Sequence, residues 1–196
     1  GRSTYDYETA PNHAHILQKL IYEDEQKIVD SIIQGEEWDI TSLDPETDTY
    51  TITGSSLDNY TKRSVLSTSA LTGEPMMFST VEGAYQAAKL KYTDLDAATI
   101  ARIEQSLVNA SGQDAHEIGQ KIPGLDVQEW DKNSTNIMRT LIEDSFNRNP
   151  SHLNLLLQTG DVPLVVNHES GKWNSDLPVI LSEVRSKLQT GKEAAI

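Results

Sequence analysis

The sequence contains no cysteine among its 196 residues. Disulfide frameworks, thiolate zinc sites, iron–sulfur clusters and cysteine nucleophiles are therefore excluded. Long hydrophobic runs are also missing, because no stretch approaches the ~20 consecutive apolar residues that a membrane span needs. We expect no membrane partner. The missing cysteines and the lack of an apolar leader together favour a cytoplasmic protein.

Positive charge is scarce. The chain has 16 Lys and Arg against 30 Asp and Glu, which gives a net charge of −14. Such a chain repels phosphate backbones at long range, so we expect no strong non-specific binding of nucleic acid. A small nucleotide-like ligand held in a local pocket is compatible with this charge. Hydrophobic residues make up 37% of the chain, which is low but above the level typical of disordered proteins.

Common catalytic and metal-binding motifs are absent. The chain has no G-x-G-x-x-G, P-loop or G-x-S-x-G segment, so the Rossmann, P-loop NTPase and α/β-hydrolase folds are not indicated. His116-Glu117 begins like the zinc-protease motif H-E-x-x-H, but the fifth residue is Gln120. Apart from His13 and His15, the histidines show no metal-ligand spacing. We expect no metal and no cofactor.

Hydrophobic periodicity predicts an α+β fold that is mostly helical, with a small set of short strands. A helical stripe runs through Ile16–Ile33, and residues 1–45 are assigned to an N-terminal helical extension. The remaining domain is assigned to residues 46–192. Further helices are predicted near residues 80–92, 95–109, 112–121, 134–147, 151–158 and 178–189. A short strand is predicted over Val162–Asn167.

The predicted helix near residues 80–92 carries two contrasting faces. One face has small apolar side chains, which let a neighbouring helix approach closely: Val81, Ala84 and Ala88. The opposite face has side chains at i, i+3, i+4 and i+7 spacing: Glu82, Tyr85, Gln86 and Lys89. In one interpretation this face is solvated and Ser79 forms a capping box with Glu82. In the other, a carboxylate, a phenol, an amide and an amine line one pocket.

This segment resembles the signature helix of the NADAR (NAD- and ADP-ribose-associated) superfamily, which has the YbiA-like fold. The resembling pattern is Phe78-Ser79-Thr80-Val81-Glu82-Gly83-Ala84-Tyr85-Gln86-Ala87-Ala88-Lys89. Other short segments resemble the family in the same order, over about residues 50–190: Leu57–Tyr60, Gly119, Trp130, Met138-Arg139, Leu155–Gly160, Leu164–His168 and Trp173. The surroundings of Trp173 depart from the pattern, so an acidic contact expected there falls on Glu169 or Asp176, or is absent.

The resemblance implies cleavage of an N-glycosidic bond to ribose. The favoured reaction is removal of ADP-ribose from modified guanine, in a nucleotide or a nucleic acid. An alternative is an N-glycosidase of early riboflavin-pathway intermediates. A third is a non-catalytic module that binds ADP-ribose or a protein partner. The expected partner is therefore an ADP-ribose-containing small molecule or an ADP-ribosylated guanine base, and the sequence gives no oligomeric state.

Glu82 and Lys89 are the predicted catalytic residues. Cleavage builds oxocarbenium character at C1 of the ribose, so a carboxylate there stabilises the charge or activates water. Lys89 is expected to bind the ribose or a phosphate, or to attack C1 and form a Schiff base. The predicted substrate-binding residues are Asn59, Tyr60, Tyr85, Gln86, Gly119, Trp130, His168 and Trp173. Core or rim packing stays open for the two tryptophans, and structural roles stay open for His168 and Asn59.

Overall fold

The computed structural model describes residues 43–44, 48–167 and 171–194. The helix predicted over Ile16–Ile33 and the predicted site residue His168 lie outside these residues, and the division at residue 46 stays a prediction. The described residues form two compact units. The first combines residues up to Asp58 with residues from Ser151 onwards, and the second is Asn59–Pro150.

The elements confirm an α+β fold that is mostly helical. Within the described residues the strands are β1 (Leu43–Asp44), β2 (Thr49–Thr51), β3 (Val65–Thr68), β4 (Pro75–Phe78) and β5 (Leu164–Val165). The α-helices there are α1 (Val81–Ala88), α2 (Ala97–Val108), α3 (Gly112–Gln120), α4 (Val127–Arg148), α5 (Pro150–Gln158) and α6 (Trp173–Ala194). A 3₁₀ helix, Lys89–Tyr92, directly follows α1. No described helix combines the length and the apolar character needed to cross a membrane.

Two helices begin earlier than the hydrophobic pattern predicts. Helix α4 begins at Val127 because Asp126 caps it by accepting a hydrogen bond from the backbone N–H of Glu129. Helix α6 begins at Trp173 and contains Pro178, a residue that usually ends a helix. The strand predicted over Val162–Asn167 is shorter than expected, because only Leu164–Val165 pairs with a neighbouring strand, β2.

The first unit is built on a three-stranded sheet in the order β1-β2-β5. Strand β2 is antiparallel to β1 and parallel to β5, and the buried Ile52 extends the pairing by donating its N–H to Val165 O at 2.8 Å. Helix α6 is anchored by the buried Arg185, which donates to Thr159 Oγ1 at 3.0 Å and to Val162 O at 2.8 Å. These bonds satisfy a guanidinium that burial would otherwise destabilise.

The second unit contains the β3–β4 hairpin and helices α1 to α4. The hairpin pairs Val65 with Phe78, and both side chains are buried. Its turn is held by the buried Glu104 of α2. Glu104 Oε1 accepts from Ser69 Oγ and Oε2 accepts from the backbone N–H of Ala70, both at 2.7 Å. This carboxylate therefore links the hairpin to α2.

Helix α1 lies at the centre of the second unit, with every residue of Val81–Ala87 buried. It packs against α2, α3 and α4. The N-cap is Thr80, whose side chain accepts from Gly83 N at 2.9 Å, whereas Ser79 Oγ donates to Ala110 O. The prediction of a capping box between Ser79 and Glu82 is therefore wrong. The solvated-face interpretation is wrong as well, because neighbouring helices cover the polar side of α1.

Candidate functional site

Glu82 is a buried carboxylate in the first turn of α1, with 6% of its surface exposed. Its Oε1 accepts a hydrogen bond from Gln86 Nε2 at 2.7 Å and lies 3.1 Å from His116 Nδ1 of α3. No described residue hydrogen-bonds to Oε2. The carboxylate is thus oriented through one of its two oxygens.

Two glycines allow α3 to approach this carboxylate. A Cβ on Gly119 would overlap the side-chain amide of Gln86, and a Cβ on Gly112 would overlap the Cβ and backbone of Tyr60. Only glycine fits at these positions without displacing the Gln86 side chain or the Tyr60 segment. The predicted residue Gly119 therefore acts through the backbone, by admitting Gln86 against α3.

Asn59 and Tyr60 precede the hairpin and contact different parts of the site. Asn59 is buried, donates from Nδ2 to Met138 Sδ at 3.5 Å, and accepts from the Glu82 backbone N–H at 3.2 Å through its carbonyl. Tyr60 is exposed, and its ring centroid lies 6.0 Å from that of His116. Asn59 thus anchors the start of α1, while Tyr60 provides an accessible aromatic surface beside His116.

Trp130 lies in the core of the second unit, with 5% of its surface exposed. Its ring centroid is 5.1 Å from that of Tyr85 and 5.5 Å from that of Tyr92. Tilted and edge-to-face aromatic pairs at these distances are favourable packing contacts. The geometry favours the core interpretation of Trp130, as packing behind Tyr85.

Lys89 follows the last residue of α1 and is half-buried. Burial lowers the pKa of its amine, and the negative charge of Glu82 opposes that shift in part. The Lys89 Nζ lies 6.0 Å from the centroid of the Tyr85 ring. A lysine in such surroundings has a larger neutral fraction than a solvated lysine, which is the form that attacks as a nucleophile.

The second unit thus brings together eight of the ten predicted site residues: Glu82, Lys89, Asn59, Tyr60, Tyr85, Gln86, Gly119 and Trp130. Trp173 belongs to the first unit, where it is half-buried at the start of α6 with Lys172 Nζ 4.9 Å from its ring centroid. The part of the chain that the structure describes contains no group of three or more His, Asp or Glu side chains arranged for a metal ion.

His116 is the residue at this site that the sequence analysis missed. In the sequence it stands out only as the first residue of an incomplete zinc motif. The usable signal was the spacing of Gly112, His116 and Gly119 at i, i+4 and i+7, which puts a histidine between two glycines on one face of α3. That face is the one that packs against α1.

The comparisons with known proteins identify the family of this chain. The sequence profile of the NADAR domain matches residues 46–189, and the chain belongs to this family. Membership supports a glycosidase-type role. Among solved structures, the chain is similar to the NMR structure of the E. coli protein YbiA, with a TM-score of 0.57 and 20% identity over 79% of this chain and 92% of that chain. At that identity the likeness shows a shared fold. No curated protein matches the chain.

Proposed function

We propose that this domain is an N-glycosidase that removes ADP-ribose from modified guanine, in a nucleotide or a nucleic acid. The observation that carries the proposal is the buried Glu82 carboxylate, held through one oxygen by Gln86 and close to His116. Cleavage of the bond between guanine and C1 builds positive charge on the ribose. A carboxylate fixed in a water-poor site stabilises this charge, or activates the water that attacks C1.

Lys89 has two possible roles in this reaction. As a cation it binds the ribose or a phosphate. As an amine it attacks C1 while the bond to guanine breaks, and the base leaves with the bonding electrons and takes up a proton. Opening of the ribose ring then gives a Schiff base with Lys89, and water hydrolyses it to release ADP-ribose and restore the amine. The lowered pKa of Lys89 supports the second role.

The charge of the chain bears on the form of the substrate. A net charge of −14 opposes tight binding of duplex nucleic acid. It is compatible with a free nucleotide or with an exposed base in a single strand, because such ligands bring few phosphates. The exposed ring of Tyr60 beside His116 is a surface on which a base would stack.

The substrate is tested by incubating the protein with ADP-ribosylated guanine nucleotide, with ADP-ribosylated DNA, and with the early riboflavin intermediate. Release of free base or amine is measured by liquid chromatography and mass spectrometry. We expect turnover of an ADP-ribosylated guanine substrate. Turnover of the riboflavin intermediate alone would overturn the proposed substrate. Binding of ADP-ribose without any turnover would identify a binding module instead.

The role of Lys89 is tested with Lys89→Arg and Lys89→Ala. Arginine keeps the positive charge but stays protonated and cannot attack C1. For the Schiff-base route we expect both variants to be inactive, and borohydride to trap a covalent adduct in the parent protein alone. Retained activity in Lys89→Arg would show that Lys89 only binds the substrate through its charge.

A further inference from the structure

We propose that His116 is a positioning residue for Glu82: its Nδ1–H donates to Oε1 and so directs Oε2 towards the substrate. This inference rests on the proposed function, because it assigns the reactive oxygen of the Glu82 carboxylate. It adds a residue that lies outside the motifs on which the family resemblance was based.

The hydrogen bonds at Glu82 are asymmetric. Both Gln86 Nε2 and His116 Nδ1 contact Oε1, at 2.7 and 3.1 Å. An ionised carboxylate only accepts hydrogen bonds, so a bond from neutral histidine requires the tautomer with hydrogen on Nδ1. Two donors on Oε1 fix the plane of the carboxylate and leave the lone pairs of Oε2 for the ribose or for water.

The position of His116 is set by the packing of α3. Gly112 and Gly119 lie one turn before and about one turn after His116 on the same face, and each admits a neighbouring side chain that a Cβ would displace. The imidazole is therefore held between the segment that carries Tyr60 and the amide of Gln86. A histidine on a mobile surface helix would not be fixed in this way.

The contact also differs from an ordinary surface ion pair. Surface pairs contribute little, because water screens both charges. Here the Glu82 side chain is 8% exposed, while the His116 side chain is 38% exposed. The Glu82 carboxylate thus lies in the interior, where water screens its hydrogen bond with His116 less than it would at the surface. No described residue hydrogen-bonds to His116 Nε2, so the ring is held at the site through Nδ1.

The first test compares His116→Ala with His116→Asn, whose amide nitrogen lies about where Nδ1 lies in histidine. A hydrogen bond to a charged group accounts for roughly 10-fold or more in rate when it is lost. We expect His116→Ala to lower kcat by that factor with KM nearly unchanged, and His116→Asn to recover most of the rate. Glu117→Ala is the matched control on the exposed side of α3 and should keep the parent rate.

Two kinetic outcomes would overturn the inference. An increase in KM alone for His116→Ala would make His116 a substrate contact. Equal loss in His116→Asn and His116→Ala would show that the imidazole itself is required, and hence that hydrogen-bond donation to Glu82 is not its role.

A second readout does not depend on activity. Nitrogen-15 NMR of the imidazole distinguishes the two neutral tautomers. We expect hydrogen on Nδ1 in the parent protein and a shift to the Nε2–H tautomer in Glu82→Ala, which lacks the acceptor. The Nε2–H tautomer in the parent would overturn the inference whatever the substrate panel gives. The expected tautomers without turnover of any substrate would leave the pairing intact and overturn the proposed function.

Discussion

Glu82 and Glu104 are both buried carboxylates on helices of the second unit, with 6% and 3% of their surfaces exposed. Glu104 uses both oxygens within the fold, one for the Ser69 hydroxyl and one for the backbone N–H of Ala70. Glu82 has both of its side-chain contacts on a single oxygen, from Gln86 and His116.

Burial alone therefore does not identify a functional carboxylate. A buried charge must be compensated by hydrogen bonds, and Glu104 achieves this through the turn that it stabilises. Glu82 is compensated through one oxygen, by the side chains of Gln86 and His116. The hydrogen bonds of Glu82 to a single oxygen are therefore the reason for proposing this carboxylate, and not Glu104, as the catalytic one.

The largest change in stability is expected for an aromatic residue, where a buried and an exposed side chain of the second unit can again be compared. Trp130→Ala removes a buried indole packed between Tyr85 and Tyr92, so we expect a loss of ~3–5 kcal/mol in the free energy of unfolding. Chemical denaturation measures this loss. Tyr60→Ala is the control, because the Tyr60 side chain is 38% exposed and should cost little stability. If Trp130→Ala keeps its stability but binds ADP-ribose more weakly, Trp130 contacts the substrate and is not a core residue.

Replacing the two carboxylates by amides tests the comparison directly. In Glu82→Gln the neutral amide cannot stabilise charge on the ribose, so we expect the rate to fall roughly 10²-fold or more, with the melting temperature little changed. Steady-state kinetics and a thermal melt on the same preparation measure both quantities. Parent-level activity in Glu82→Gln would contradict the catalytic assignment of α1.

Glu104→Gln should show the opposite pattern. The amide group can keep one acceptor oxygen, but its nitrogen then faces either the Ser69 hydroxyl or the Ala70 N–H. If it faces Ala70, two N–H groups oppose each other. If it faces Ser69, it meets a hydroxyl that already accepts from the backbone N–H of Leu71 and Thr72. Either orientation leaves a buried donor without a good acceptor, which costs about 1–3 kcal/mol. We expect that loss in denaturant titration and a parent-level rate. A rate loss at unchanged stability would show that the two carboxylates do not differ in role.

The smallest expected change in stability concerns Lys89 and its dependence on pH. Burial lowers the pKa of this lysine, so folding disfavours its charged form. At neutral pH, Lys89→Met should therefore raise the melting temperature slightly while abolishing activity. The unfolded chain binds the proton more tightly, so the parent gains stability as pH rises through the lowered pKa towards 10.5. The advantage of Lys89→Met should shrink over that range, and a constant advantage would contradict the pKa shift.

Local sequence signals predicted much of α1 and its surroundings. Helical spacing placed Glu82, Tyr85, Gln86 and Lys89 on one face, because that spacing depends only on the geometry of the backbone. The family resemblance, on the same residues, predicted the fold that the NADAR profile and the structure confirm. The N-cap was misplaced by one residue because Ser79 and Thr80 are both good capping residues, and Ser79 is engaged by Ala110 of another segment.

Local residue patterns were therefore enough to predict the order of the helices, the family and the residue types along one face of α1. Whether that face contacts water or protein depends on tertiary packing, which also brings His116 to Glu82 across a separation of 34 residues. Periodicity describes a helix relative to its own axis only. Which neighbour covers a face depends on the packing of distant segments, here on two glycines of α3 that bring a histidine to the carboxylate.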